Sequence, residues 1–250
     1  MFGSCPFFPE RQDCITLGVV HRCEKNMNAT TPNDCLAPRW SRLPFSAVVQ
    51  VLLALAVLTT QPAQAEVWCA PFKWEFERLD VRAEKDQRRI KAVQHHHFDD
   101  DTENLIRGMT GDKAGSDIDF LVSHSPNHHR GLTALVRLAL KDKTPKPVGV
   151  KIPVECYLLR ALEFAPDDAE VHKIYGTYLA RLGRNAEALA RYEEAEKLSP
   201  DDPVIAYNMG LLLAEKRDFE RARLYAKKAY ASGLELPGLR EKLARQGQWN

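Results

Sequence analysis

The chain has 250 residues, of which 35 are Lys or Arg and 34 are Asp or Glu, so its formal net charge is +1. This length suits one domain of ordinary size with additional segments. A charge this close to zero produces no field over the whole chain that would indicate a nucleic acid or an anionic membrane as the partner.

The most apolar stretch is SAVVQVLLALAVL, residues 46–58, which carries no charge. It is shorter than the ~20 apolar residues that cross a bilayer. Two arginines precede it and Ala-Gln-Ala at 63–65 follows it, which is the order of parts in a secretory signal peptide. We therefore expect residues 1–65 to be a signal-peptide region that is cleaved after Ala65, which would leave a periplasmic or secreted protein without a membrane span. An uncleaved anchor or a buried helix is the alternative.

The expected signal peptide lies unusually far from Met1. A signal peptide of ordinary length would begin at Met27, so we hypothesise that residues 1–26 are an upstream extension. Cleavage would remove one more basic than acidic residue and leave a formally neutral chain. Of the six cysteines it would leave Cys69 and Cys156, which indicates one disulfide in an oxidising compartment. Two separate buried thiols are the alternative.

Residues 66–100 are expected to be irregular and partly helical. They end in a run of histidines and acids, HHHFDDD at 95–101, which begins with His95, His96 and His97. Imidazoles beside carboxylates can bind a divalent metal. Adjacent histidines on a regular element point in different directions, however, so one local run seldom completes a metal site. We keep these three histidines as weak metal candidates and expect no cofactor.

The region 101–250 is predicted to be a helical array. Helical hydrophobic spacing predicts helices over 102–108, 116–124, 129–141 and 153–165, with a Pro-rich loop at 142–152 between the last two. Residues 237–247 are predicted to be an amphipathic terminal helix that covers the last apolar face.

A period of 34 residues dominates the second half of this array. The pairs that repeat at this distance are Pro166 and Pro200, Gly176 and Gly210, Leu179 and Leu213, Ala188 and Ala222, and Ala195 and Ala229. A fixed period combined with helical spacing indicates a helix-turn-helix array. The acids Asp168 and Asp202 are predicted to cap the helices that follow them.

At these positions the chain resembles the tetratricopeptide repeat (TPR) family, with one repeat over 169–202 and the next over 203–236. The resemblance implies an all-α TPR-type solenoid of about three helix pairs and a capping helix. The sequence departs from the family pattern at His172 and Ala206, where Trp is usual, and at Ala226, where an aromatic is usual. The segments PNHHRGL and VECYLLRALEFAPDD also resemble a group of small exported bacterial TPR proteins.

The resemblance further implies a concave groove lined by the first helix of each pair. The groove residues expected from it are Arg137, Lys141, Lys173, Thr177, Arg181, Tyr207, Asn208 and Leu211. The groove would be basic at its N-terminal end and apolar around Tyr207 and Leu211. A protein segment with an acidic portion or a free C-terminal carboxylate would fit it. A solvated helix face is the alternative.

The sequence contains none of the common catalytic or phosphate-binding motifs, so we expect a protein that is not an enzyme. The leading hypothesis is an exported scaffold that binds another protein, with no nucleic-acid partner. Two alternatives stay open, which are a metal-handling protein that uses His95–His97 and a structural subunit of an envelope complex.

Overall fold

A computed structural model describes residues 13–16, 19–22, 69, 77–111 and 113–249. The chain divides into two compact units, Met1–Gln64 and Ala65–Asn250. In the first unit the described residues form an antiparallel pair of strands, β1 (Asp13–Thr16) and β2 (Val19–Arg22). The apolar stretch 46–58 and the expected cleavage position at Ala65 lie outside the described residues.

In the second unit every regular element among the described residues is helical. The helices are α1 (Gln87–His97), α2 (Asp100–Glu103), α3 (Ala114–His124), α4 (His129–Asp142), α5 (Val154–Phe164), α6 (Ala169–Arg181), α7 (Asn185–Leu198), α8 (Pro203–Glu215), α9 (Phe219–Ala231) and α10 (Gly238–Arg245), and a 3-10 turn over Glu84–Asp86 precedes α1. The predicted fold class, a helix-turn-helix solenoid with three pairs and a terminal helix, is confirmed. No helix in the described part of the chain has the length and apolar character that a membrane crossing requires.

The two predicted repeats form the hairpins α6/α7 and α8/α9, and α8 packs against both helices of the preceding hairpin. The predicted caps are confirmed. The Asp168 side chain accepts from two backbone N–H groups at the start of α6, and Asp202 does the same for α8. Pro203 occupies the first turn of α8, where its missing N–H has no effect on helix hydrogen bonding.

Upstream of the repeats, α3, α4 and α5 match the predicted helices to within about two residues. The predicted helix over 102–108 is wrong, because α2 ends at Glu103. Leu105 follows with a φ of 60°, a left-handed conformation that stops a helix of L-residues.

The divergent pair α4/α5 joins the first regular hairpin through a buried carboxylate. Glu155 of α5 accepts from Tyr175 Oη at 2.6 Å and from Arg184 Nη1 at 2.7 Å. Arg184 lies in the turn between α6 and α7, so this contact fixes α5 against both helices of the hairpin.

A buried polar network fastens the segment before α1 to the turn between α3 and α4. Ser125 Oγ donates to Leu79 O at 2.8 Å. The fully buried Asn127 donates from Nδ2 to Asp80 at 2.8 Å and to Asp168 at 2.9 Å. Because Asp168 also caps α6, the N-terminal segment, the α3–α4 turn and the first repeat share one set of hydrogen bonds.

Candidate functional site

Helices α4 and α6, the first helices of consecutive pairs, form the two walls of a cleft of about 250 Å³. Four of the predicted groove residues lie in it, and apolar side chains of α4, α6 and α8 line it with them. Its lining residues are Thr133, Val136, Arg137, Leu140, Glu170, Lys173, Ile174, Thr177, Arg181 and Val204.

A second cleft, of about 670 Å³, shares part of this wall at the C-terminal end of α4. It is lined by Asn104, Leu105, Arg137, Leu140, Lys141 and Arg181. The structure therefore gathers Arg137, Lys141 and Arg181 around one space. We call the two clefts together the basic groove.

The three cations of the larger cleft are not neutralised by carboxylates that line it. Arg137 Nη1 donates to the backbone oxygen of Glu103 at 3.3 Å, and Lys141 Nζ donates to that of Leu105 at 3.1 Å. Arg181 forms no ion pair among the described residues, and its side chain is exposed. These three groups are available to a ligand that carries negative charge.

The Glu103 side chain, near Arg137, is occupied by another arginine. Arg130 Nε donates to Glu103 Oε1 at 2.9 Å, and the same guanidinium also bonds the other oxygen. The Arg130 guanidinium holds the pKa of Glu103 below its ordinary value. This carboxylate therefore stays ionised and paired with Arg130.

Lys173 and Thr177 line the groove but have partners within the protein. Lys173 Nζ lies 2.6 Å from Glu170 Oε2 and 2.8 Å from Asp202 Oδ2. Burial alone would lower the pKa of Lys173, but these two carboxylates outweigh it and the pKa is raised. Thr177 Oγ1 bonds to Lys173 O and Tyr192 Oη. Both residues therefore form part of the wall, and their polar groups are already bonded within the protein.

The structure places the residues of the predicted apolar end outside the lining of these two clefts. Tyr207, Asn208 and Leu211 lie on α8 and are half-buried, but none of them lines either cleft. The Tyr207 ring packs beneath the start of α10, so close that a methyl group on Gly238 would lie 2.7 Å from its hydroxyl oxygen. The apolar residues that line the smaller cleft beside Arg137 and Arg181 are instead Leu140 and Val204, which are half-buried, and Val136 and Ile174, which are buried.

Sequence reasoning missed Asn104 and Leu105, which line the larger cleft. The contacts of this segment with Arg137 and Lys141 are made by the backbone carbonyls of Glu103 and Leu105. Every residue carries a carbonyl, so no residue type signals these contacts. The acids Asp99–Asp101 before this segment marked only a helix start.

The histidine run does not form a compact cluster. His95 and His96 are exposed at the end of α1, whereas His97 Nδ1 bonds to the buried Asp117 Oδ1 at 2.8 Å and its ring stacks on Phe120. No group of three or more His, Cys, Asp or Glu side chains among the described residues is arranged to hold a metal ion.

The two cysteines expected to remain after cleavage lie together. Cys69 Sγ and Cys156 Sγ are at bonding distance, 2.04 Å, and their Cα atoms are 5.6 Å apart. Cys156 is buried on α5, so this bond would attach the chain before residue 77 to the divergent helix pair.

Comparison with known proteins matches a family model described as TPR repeat over residues 176–216. This range runs from the middle of α6 to the end of α8. A comparison with curated protein sequences gives no significant match.

Among solved structures, the chain is similar to Pseudomonas aeruginosa PilF, with 19% identity and a TM-score of 0.47 over 65% of this chain and 69% of that one. It is also similar to YrrB, described as a TPR protein with an unusual peptide-binding site, with 22% identity and a TM-score of 0.39 over 54% of this chain and 64% of that one.

Proposed function

We propose that the chain, which matches a model described as TPR repeat over residues 176–216, is a non-catalytic scaffold that holds a segment of another protein in its basic groove. Proteins of that family bind other proteins or peptides. One observation carries the proposal. Arg137, Lys141 and Arg181, which come from two consecutive first helices, surround one space that no described carboxylate lines.

The chemistry of the groove favours a segment with an acidic portion or a free C-terminal carboxylate. The guanidinium groups of Arg137 and Arg181 can bind a carboxylate with two parallel hydrogen bonds, which fixes its orientation. The half-buried side chains of Leu140 and Val204 beside them would contact a neighbouring aliphatic or aromatic side chain. Charge would direct the approach of the segment, and apolar burial would hold it.

The test is capture of the partner in cells with a photo-crosslinking amino acid at Thr133, an exposed position that lines the groove. We expect crosslinks to a specific protein, and we expect the double variant Arg137→Glu, Arg181→Glu to abolish them. The matched control is Lys216→Glu, Lys227→Glu, which makes the same charge change at two exposed residues that line neither cleft. Equal crosslinking in wild type and groove variant would refute the groove as the binding site.

The same experiment distinguishes groove binding from the alternative of a structural subunit that binds its partners through another face. If the crosslinker at Lys227, on α9, captures a partner and the groove variant leaves that capture unchanged, the structural-subunit reading is favoured. The alternative of a metal-handling protein has no geometric support, since His97 is engaged with Asp117. Less than one equivalent of zinc, copper or nickel in untagged protein would remove it.

We also propose that the protein is exported and that residues 1–65 are removed. The order of charge, apolar core and Ala-Gln-Ala in the sequence supports this proposal, and so does the proximity of Cys69 and Cys156, because disulfides persist in oxidising compartments. Intact mass of the protein recovered from the cell envelope tests it. A chain that still carries residues 46–58 would refute cleavage after Ala65.

A further inference from the structure

We propose that a second surface, which shares only Lys141 with the basic groove, docks on anionic phospholipid headgroups. This surface, the lysine–aliphatic patch, lies where the loop between α4 and α5 meets the start of α3. It consists of Ile106, Lys113, Lys141, Lys143, Lys146, Val148 and Lys151.

The patch has two protruding aliphatic side chains. Ile106 and Val148 are both 70% exposed, which makes them the two most exposed large apolar side chains in the described part of the chain. They line the same cleft of about 240 Å³, together with Lys113 and Lys141. Two exposed aliphatic residues at one place form a patch and are not scattered singly over the surface.

The backbone that carries these side chains is fixed. Val148 O lies so close to α3 that a methyl group on Gly115 would come within 2.2 Å of it, and the next residue, Gly149, has a φ of 89°. Val150 then returns to the core and is 4% exposed. Likewise Leu105 is buried next to the exposed Ile106. The aliphatic tips therefore project from an anchored loop, so their exposure is not that of a loose segment.

Lysines lie close to the two tips in a chain whose overall charge is +1. Lys113 and Lys141 line the cleft with them, and Lys143, Lys146 and Lys151 lie in the same loop as Val148. Lys113, Lys143 and Lys146 are exposed and form no ion pair among the described residues. Lys151 Nζ lies 3.6 Å from Asp119 but stays 67% exposed. Among the described residues that line the 240 Å³ cleft, the only carboxylate is that of Asp142.

The kind of cation and the shape of the patch favour a lipid surface over an acidic peptide. Lysine carries a point charge on a flexible stem, which suits mobile headgroups, whereas fixed carboxylates are bound best by arginine forks such as those in the basic groove. Exposed aliphatic side chains beside lysines can enter the headgroup region while the lysine ammonium groups stay at its surface.

The experiment measures binding of the purified protein to vesicles by flotation. Vesicles of phosphatidylcholine alone are compared with vesicles of equal parts phosphatidylcholine and phosphatidylglycerol, at about 0.05 M and about 0.5 M NaCl, since added salt screens surface charge. The charge variant is Lys143→Glu, Lys146→Glu, and the apolar variant is Ile106→Ser, Val148→Ser. The control is Lys216→Glu, Lys227→Glu. Every variant carries the same N-terminal residues, so a contribution from stretch 46–58 is common to all.

We expect the wild type to prefer the anionic vesicles at low salt and to lose this preference at high salt. A surface lysine contributes roughly fivefold in affinity, so the charge variant is expected to weaken anionic binding by at least roughly 25-fold. The apolar variant weakens it severalfold, and the control binds as the wild type does.

Two results would overturn the proposal. One is that the wild type binds anionic and neutral vesicles equally, or that the charge variant and the control variant lose the same amount of binding. The other is that an acidic peptide displaces the protein from the anionic vesicles and binds the wild type but not the charge variant. The patch would then bind a protein partner. None of these readings depends on Arg137 or Arg181, so failure here leaves the groove proposal standing.

Discussion

Leu239 of the terminal helix lies against Gly210 of α8, in the position that Tyr192 takes against Gly176 one repeat earlier. A methyl group on Gly176 would meet the Tyr192 ring at 3.0 Å, whereas one on Gly210 would meet Leu239 Cδ2 at 2.5 Å. The residue 34 positions after Tyr192 is Ala226, which is fully buried. The terminal helix thus supplies the apolar volume that the second repeat lacks.

This relationship predicts non-additive effects of Gly210→Ala and Leu239→Ala on the free energy of unfolding. Leu239→Ala is expected to destabilise the protein by about 2–5 kcal/mol, because Leu239 is completely buried. Gly210→Ala alone is expected to destabilise by about 1–3 kcal/mol, because its methyl group overlaps the leucine. In the Leu239→Ala background the methyl group enters vacated space, so the double variant should lose less than the sum. Urea denaturation of the four proteins measures this, and strict additivity would contradict the contact.

The sequence predicted the parts of the fold that depend on local pattern and on the repeat. The caps Asp168 and Asp202 and the two hairpins follow from a period that each repeat restates, and the terminal helix follows from its own amphipathic pattern. It did not predict that α10 would cover Tyr207, since a terminal helix has no following repeat to fix its place. Nor did it predict that the carbonyls of Glu103 and Leu105 would meet Arg137 and Lys141, because those contacts join backbone to residues more than 30 positions away.

The turn between α8 and α9 contains a correctable strain. Gly183 ends the first repeat's turn with a φ of 77°, and the equivalent residue 34 positions later, Arg217, has a φ of 61°. A non-glycine residue in this region is disfavoured by roughly 1–2 kcal/mol. We expect Arg217→Gly to raise the free energy of unfolding by about 1 kcal/mol.

Thermal and urea denaturation measure this gain in the free energy of unfolding. Gly183→Ala is the reverse control, and we expect it to lower the free energy of unfolding by about the same amount. A loss of stability in Arg217→Gly would show that the Arg217 side chain contributes more than its backbone strain.

Reduction of the Cys69–Cys156 bond is expected to lower stability, because it releases a link between residues 87 positions apart. For a loop of this length the chain-entropy account gives about 4–5 kcal/mol as an upper value. Denaturation with and without a reductant measures the loss. The variant Cys69→Ala should already have the stability of the reduced wild type and should not respond to the reductant. A wild type that is insensitive to reductant would mean that the two thiols are not joined.

Because of His128, we expect the free energy of unfolding to decrease as the pH is lowered, and to do so at a higher pH than that at which the carboxylates titrate. Its Nδ1 accepts the Gly131 N–H at 3.0 Å as the cap of α4, and its Nε2 lies 2.8 Å from the side-chain amide of Gln94. Burial, with a smaller contribution from the neighbouring His129 and Arg130 charges, lowers the pKa of His128 from 6.5 to about 4. Protonation of Nδ1 would remove the acceptor on which the cap depends.

Since the unfolded chain binds this proton and the folded chain does not, the contribution of His128 is complete above pH 6.5 and is lost as pH falls towards 4. The full loss corresponds to about 3 kcal/mol, of which about 2 kcal/mol would appear by about pH 5. The carboxylates of Asp80 and Asp168, whose pKa values are lowered, act in the same direction but at lower pH.

Urea denaturation at about pH 7.5 and about pH 5 tests this in the wild type and in His128→Asn, since asparagine also caps helices. We expect the variant to be less stable than the wild type at the higher pH, because the substitution leaves a small cavity. Between the two pH values, however, its free energy of unfolding should fall by about 2 kcal/mol less than that of the wild type. The control His95→Asn, at an exposed histidine on α1, should keep the wild-type pH dependence. Equal pH dependence in His128→Asn and the wild type would mean that this buried imidazole does not titrate differently in the folded and unfolded chain.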